Sequence, residues 1–213
     1  MNKYPFLIYV SIFSPILAIV IGLSKFSSLC RGMVILFYYL IFAIAIDIFL
    51  AWIVKGRQLQ MGFVHGYYLV EYVFIISIIT VWQESHWMKR FFQTLMLVYI
   101  LFWIIAKFTF EPLSGLYSIT ATTSQVLLTL GAGYTLFIVI GNRVQPLTKD
   151  FRFWVLLSCV VYYAGTLLTI ALRGILIQYS LEKFFLFTSL DWSLKIIFIL
   201  LFTIGFMCPQ TQQ

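Results

Sequence analysis

Seven times along this chain the sequence settles into an apolar run long enough to cross a bilayer, and that recurrence leaves few folds open. A helix needs roughly 20 mostly apolar residues to span the hydrocarbon layer. In lipid a backbone must satisfy its hydrogen bonds within its own segment, so long runs without strand alternation read as spanning helices. The runs are Pro5–Leu23, Gly32–Val54, Gly62–Trp82, Phe91–Phe108, Ser118–Ile140, Phe153–Leu172 and Phe184–Met207. The connections are about 7 to 12 residues, which makes consecutive helices antiparallel neighbours. We expect an all-α polytopic membrane protein: one domain over residues 1–213, a bundle of seven transmembrane helices with short loops.

Composition excludes the usual soluble classes. The chain is 62% apolar and 10% charged, where a soluble domain carries about 25% charged residues. Its net charge of +7 is not a nucleic-acid signal, because the basic residues sit singly or in pairs between the runs, where they anchor helices. Met1–Leu23 lacks a small-residue cleavage site and is longer than a signal core, so we read it as the first span. Pro15 predicts a mild kink there. Cys30, Cys159 and Cys208 have neither metal nor redox spacing. No metal-binding helix motif, phosphate loop or nucleophile elbow appears. We therefore expect no metal and no catalytic residue, and lean against an enzyme.

Topology is weakly encoded. Lys25, Arg31, Lys89, Arg90, Arg143, Lys149 and Arg152 share one face; Lys3, Lys55, Arg57, Lys107, Arg173 and Lys183 share the other. That bias leans to an N-terminus outside. Trp52, Trp82, Trp87, Trp103 and Trp154 fall near run ends, as interfacial rings should, and Trp192 does not.

Ionisable groups at mid-span are costly and are functional candidates by default. Five occur: Asp47, His65, Glu71, Asp191 and Lys195. Asp47, Glu71, Asp191 and Lys195 lie about 7, 9, 7 and 11 residues from the same membrane face, within a layer about 6 Å thick at about 1.5 Å per residue. Asp191 and Lys195 are spaced i,i+4 and can pair along one helix. Lys195, with about a dozen apolar residues on each side, lies deep for its stem to carry the ammonium to the interface. Glu71 is an alternative counter-charge. His65, Tyr68, Glu71 and Tyr72 occupy an arc of roughly 120° on the third span, with His65 near the membrane edge and readable as interfacial. Ser118, Thr122, Gln125, Thr129 and Ala132 form one stripe, and Ser158, Tyr162, Gly165 and Thr169 another. Such stripes are the usual helix–helix interface in lipid, or else line a cavity, with Gln125 and Tyr162 as lining residues.

Two resemblances follow. Asp191-x-x-x-Lys195 in a last span, with Glu71 at matching depth in the third, resembles microbial rhodopsins, where that Lys carries retinal. The sixth span here lacks the aromatic pattern that sandwiches the polyene. His65-Gly66-Tyr67-Tyr68-Leu69-Val70-Glu71-Tyr72, Phe153-Trp154 with Tyr162-Tyr163, and Leu200–Phe206 resemble a group of small bacterial seven-span proteins of unassigned activity. That likeness implies the architecture and a bacterial origin only, and the expected location is a bacterial inner membrane.

The leading expectation is a sensor or binder of a small or lipid-like ligand, acting through a membrane or signalling partner. Protonating Glu71 or burying the ion pair could bias helix packing between two states. The candidate residues are Lys195, Asp191, Glu71, Asp47, Tyr68, Tyr72, Gln125, Tyr162 and His65, with no cofactor. Alternatives are a retinal protein or proton-coupled carrier, an intramembrane lipid enzyme using His65 or Asp47 as base, and a structural subunit.

Overall fold

The computed structural model describes residues 5–53, 57–113, 119–142, 146–179 and 181–209, and for residues 52–60 and 173–183 the backbone at most. Lys3, Lys55, Ser118 and Arg143, and the side chains of Trp52, Arg57, Arg173 and Lys183, lie outside the described residues. The chain is an all-α bundle. Its elements are α1 (Pro5–Phe13), α2 (Pro15–Ser24), α3 (Arg31–Ile48), α4 (Arg57–Val81), α5 (His86–Thr109), α6 (Ile119–Gly141), α7 (Phe151–Tyr179) and α8 (Leu181–Met207). Among the described residues, seven helical stretches are long and apolar enough to cross a membrane, from Phe6–Ser24 to Phe184–Met207. The protein is an integral membrane protein, and its apolar outer faces meet lipid.

Pro15 interrupts the ladder of the first span only locally, where α1 gives way to α2, because proline has no N–H to continue the ladder. Ser14 keeps right-handed helical dihedrals, and its N–H still donates to the Val10 carbonyl at 2.9 Å. One expectation about local structure changes. The stretch Arg173–Lys183, expected as a loop, is mostly helical, since α7 runs on to Tyr179 and α8 begins at Leu181. Its apolar Ile175-Leu176-Ile177 extends the helical pattern past the span.

Helices α6, α7 and α8 form the tightest part of the bundle, with α3 and α4 packed together and α1 and α2 laid against α8. The small-polar stripes serve these interfaces. On α7, a Cβ at Gly165 would stand 2.8 Å from Leu194 Cδ1, so the missing side chain lets α8 approach. Beside it, the Tyr162 ring stacks on Phe198 with centroids 4.5 Å apart. On α6, Gln125 and Ala132 are buried, and Thr166 Oγ1 of α7 lies 3.1 Å from Gln125 Oε1. Thr166 has one proton, already directed at the Tyr162 carbonyl at 2.8 Å. The hydrogen count closes with the Gln125 amide turned so that its N–H donates to Thr166.

The second span ends in a wide π turn, Phe49–Ile53. Such a turn shifts the register of the side chains on it. Leu50, in this turn, lies between the two cavities described next.

Candidate functional site

Two cavities meet at one ion pair. The inner cavity, about 300 Å³, lies between α3, α4, α7 and α8. The outer one, about 250 Å³ and more open, lies between α1, α3 and α8. Both are lined by Asp47, Leu50, Trp192 and Lys195.

Lys195 Nζ donates to Asp47 Oδ2 at 2.5 Å. The ion pair therefore joins α8 to α3 and does not run along α8 to Asp191, as i,i+4 spacing allowed. Helical side chains lean toward the N-terminus of their helix, so Lys195 reaches back along α8 to the level of Asp47. Both side chains keep some exposure, 17% for Lys195 and 19% for Asp47, so Lys195 is less deeply sequestered than its place in the run implied. The Asp191 carboxylate turns to α7, with Oδ1 2.5 Å from Thr169 Oγ1.

Glu71 lies deeper, 2% exposed. Tyr39 O–H of α3 donates to its Oε1 at 2.7 Å, and the Tyr67 hydroxyl stands 3.4 Å from both Tyr39 and Glu71. Its hydrogen-bond partners are these tyrosines, and the counter-charge of Lys195 is Asp47. Tyr67 also lines the inner cavity, so a chain of hydroxyls connects that cavity to the buried carboxyl.

The layer is thus gathered in part. Asp47, Asp191, Lys195, Tyr68 and Tyr162 line the inner cavity. Glu71 joins it through Tyr67, and Gln125 through Thr166. Tyr72 and His65 do not line it. Tyr72 is buried against Tyr99, ring centroids 4.0 Å apart. His65 is 1% exposed, so near the start of its run it packs inside the bundle. Its Nδ1 sits 2.8 Å from Lys107 Nζ. An arc of 120° on α4 faces more than one neighbour, so the stripe divides between α3, α5 and α6.

His65 belongs to a second buried cluster that sequence reasoning missed. Lys107 Nζ lies 3.2 Å from Glu111 Oε2 and 3.0 Å from Thr120 Oγ1, with both side chains of the ion pair 4% exposed. Glu111 Oε2 also accepts the Thr120 backbone N–H at 3.0 Å, closing an orphan donor at the start of α6. Lys107 sits 5.3 Å from the Trp103 ring centroid. The available signal was the i,i+4 spacing of Lys107 and Glu111, which looked like an anchor and a turn because both stand at a run's end. Tyr67, Thr166, Leu50 and Trp192 are further lining residues that spacing did not select.

Asp47 and Lys195 are matched charges that can trade partners with a ligand presenting either sign. Among the described residues, no three His, Cys, Asp or Glu side chains converge to hold a metal ion. Comparison of the chain with protein-family models, curated proteins and solved structures finds no match. The class that fold and cavities define is an integral membrane bundle of seven spanning helices with a charged cavity between them.

Proposed function

We propose that this protein binds a small or lipid-like ligand in the inner cavity and reports its presence by changing how α3 and α8 are held together. The observation that carries this reading is the Asp47–Lys195 ion pair on the cavity wall. A ligand that engages either charge removes an interhelical link, and an ion pair with two possible partners is a bistable element of the kind a switch requires. With seven spans and short connections, the change would be read by a partner membrane or signalling protein. The bacterial likeness noted in the sequence is what supports an inner membrane as the setting.

The test is a thermal-unfolding screen of the full chain in nanodiscs against small amphipathic molecules. Binding in the inner cavity predicts a stabilisation that Val64→Phe, which fills that cavity alone, abolishes. If Lys195→Met and Glu71→Gln leave folding and every phenotype of a deletion strain unchanged, the charges are structural and the proposal fails.

A second reading, a proton-coupled carrier, is favoured by one contact: Tyr67 lines the cavity and also reaches Glu71. Proteoliposomes under a pH gradient would show proton flux that Tyr67→Phe and Glu71→Gln both remove.

A further inference from the structure

The outer cavity has a different character from the inner one. It is an open groove with apolar walls, Ile8 and Ile12 of α1 and Leu50 of the π turn, and the Asp47–Lys195 pair stands in it. Around it the helices turn exposed apolar side chains outward: Tyr9 is 53% exposed, Phe13 43% and Ile48 39%. On spanning helices those faces meet acyl chains, so the groove opens beside the bilayer.

Its charge selects among lipids. A lone anion beside Lys195 would also face Asp47, and a lone cation beside Asp47 would face Lys195. A zwitterion meets both, one group to each, which is charge complementarity in its simplest form. Trp192 stands on the same wall, and an indole ring attracts an ammonium. Asp47 is seven residues from the end of the apolar run Gly32–Val54, about 10 Å at the helical rise of about 1.5 Å per residue, so a headgroup that meets it settles into the polar cleft below the interface.

We infer that the outer groove between α1, α3 and α8 binds the headgroup of a zwitterionic phospholipid, its ammonium on Asp47 and its phosphate on Lys195, with the start of an acyl chain along Ile8, Ile12 and Leu50. The inference goes beyond the ligand proposed for the inner cavity and does not require that cavity to be occupied.

The experiment is native mass spectrometry of the purified full chain, delipidated and offered equal amounts of phosphatidylethanolamine, phosphatidylcholine and phosphatidylglycerol. The two zwitterionic lipids are expected to be retained about 5-fold over phosphatidylglycerol, near 1 kcal/mol of preference. Ala51→Trp, at an exposed groove position, should bring the ratio close to one while the thermal midpoint stays near wild type. Ile8→Trp fills the groove from the opposite wall and serves if the first variant unfolds. Equal retention of phosphatidylglycerol overturns the zwitterion assignment. A preference that survives both variants places the lipid elsewhere and overturns the groove. If soluble glycerophosphoethanolamine displaces the lipid at equal concentration, a free zwitterion is the occupant and the lipid assignment falls. None of these outcomes touches the Val64→Phe test, which reads the inner cavity alone.

Discussion

Lys195 and Asp47, 148 residues apart in the chain, are joined by a 2.5 Å contact between their charged groups. The contact ties the last helix to the second span. Removing one partner leaves a charge without its counter-ion in a low-dielectric setting, which costs about 3–5 kcal/mol for a fully buried pair. A lone charge within a span gains relief by snorkelling or by drawing in water, so Asp47→Asn or Lys195→Met alone should each cost about 1–3 kcal/mol. The double variant should recover most of that loss. Reversible unfolding in mixed micelles measures the cycle, and strictly additive costs would show that the two charges are not coupled.

Lys107 and Glu111 are better sequestered, and Glu111 also holds the first turn of α6. Glu111→Ala should therefore cost about 3–5 kcal/mol, more than either single change at Asp47 and Lys195. Hydrogen exchange should localise the loss to the start of α6 and the end of α5. Uniform loosening across the bundle would contradict the capping role.

Two glycines should differ in their tolerance of a methyl group. At Gly32 a Cβ would stand 2.3 Å from Trp82 Nε1, part of a rigid ring, whereas at Gly165 it meets the flexible end of Leu194. Gly32→Ala should cost about 1–3 kcal/mol by overpacking. Gly165→Ala should cost less and be relieved by Leu194→Ala. Equal melting points for the two alanine variants would refute the contrast.

Alkylation should separate the cysteines. Cys208 lies just past α8, with Sγ 3.6 Å from the Thr148 carbonyl. Burial pushes its thiol pKa up, Asp150 adds to that, and Lys25 pulls part of it back. Because the thiolate is the reactive form, maleimide should label Cys208 slowly at pH 7 and accelerate only above the ordinary thiol range. The sign for stability follows: a raised folded pKa gives a contribution present below the unfolded value and lost as pH rises through the folded one. Cys159 is 2% exposed within α7 and should stay unlabelled until the bundle unfolds. Mass spectrometry of tryptic peptides reads each site.

Much of this arrangement is visible in the linear order. Run length marks the seven spans to within a few residues at most ends, because the hydrocarbon layer fixes how many apolar residues a helix needs. Depth alone brought Asp47, Asp191 and Lys195 to one level, and they do line one cavity. Helical spacing alone marked the stripes on α6 and α7 that pack those helices. What spacing could not supply was partner choice. Asp191 and Lys195 satisfy the i,i+4 rule, yet Lys195 is held by Asp47 and Asp191 by Thr169. Lys107 and Glu111 looked like run-end residues and proved buried, because the helices around them, and not the chain order, exclude solvent.

The sequence by itself determined that this is a membrane-spanning helical bundle and which mid-span residues would have to tolerate burial, since both follow from transfer energetics counted residue by residue. The tertiary structure alone decided that Asp47 answers Lys195, that Tyr39 and Tyr67 hold Glu71, and that cavities open on both sides of one ion pair. Those outcomes depend on which helix faces which, and on the π turn that shifts Leu50 between the cavities. Rotation of a helix about its own axis is set by packing against its neighbours, and no local pattern carries that information.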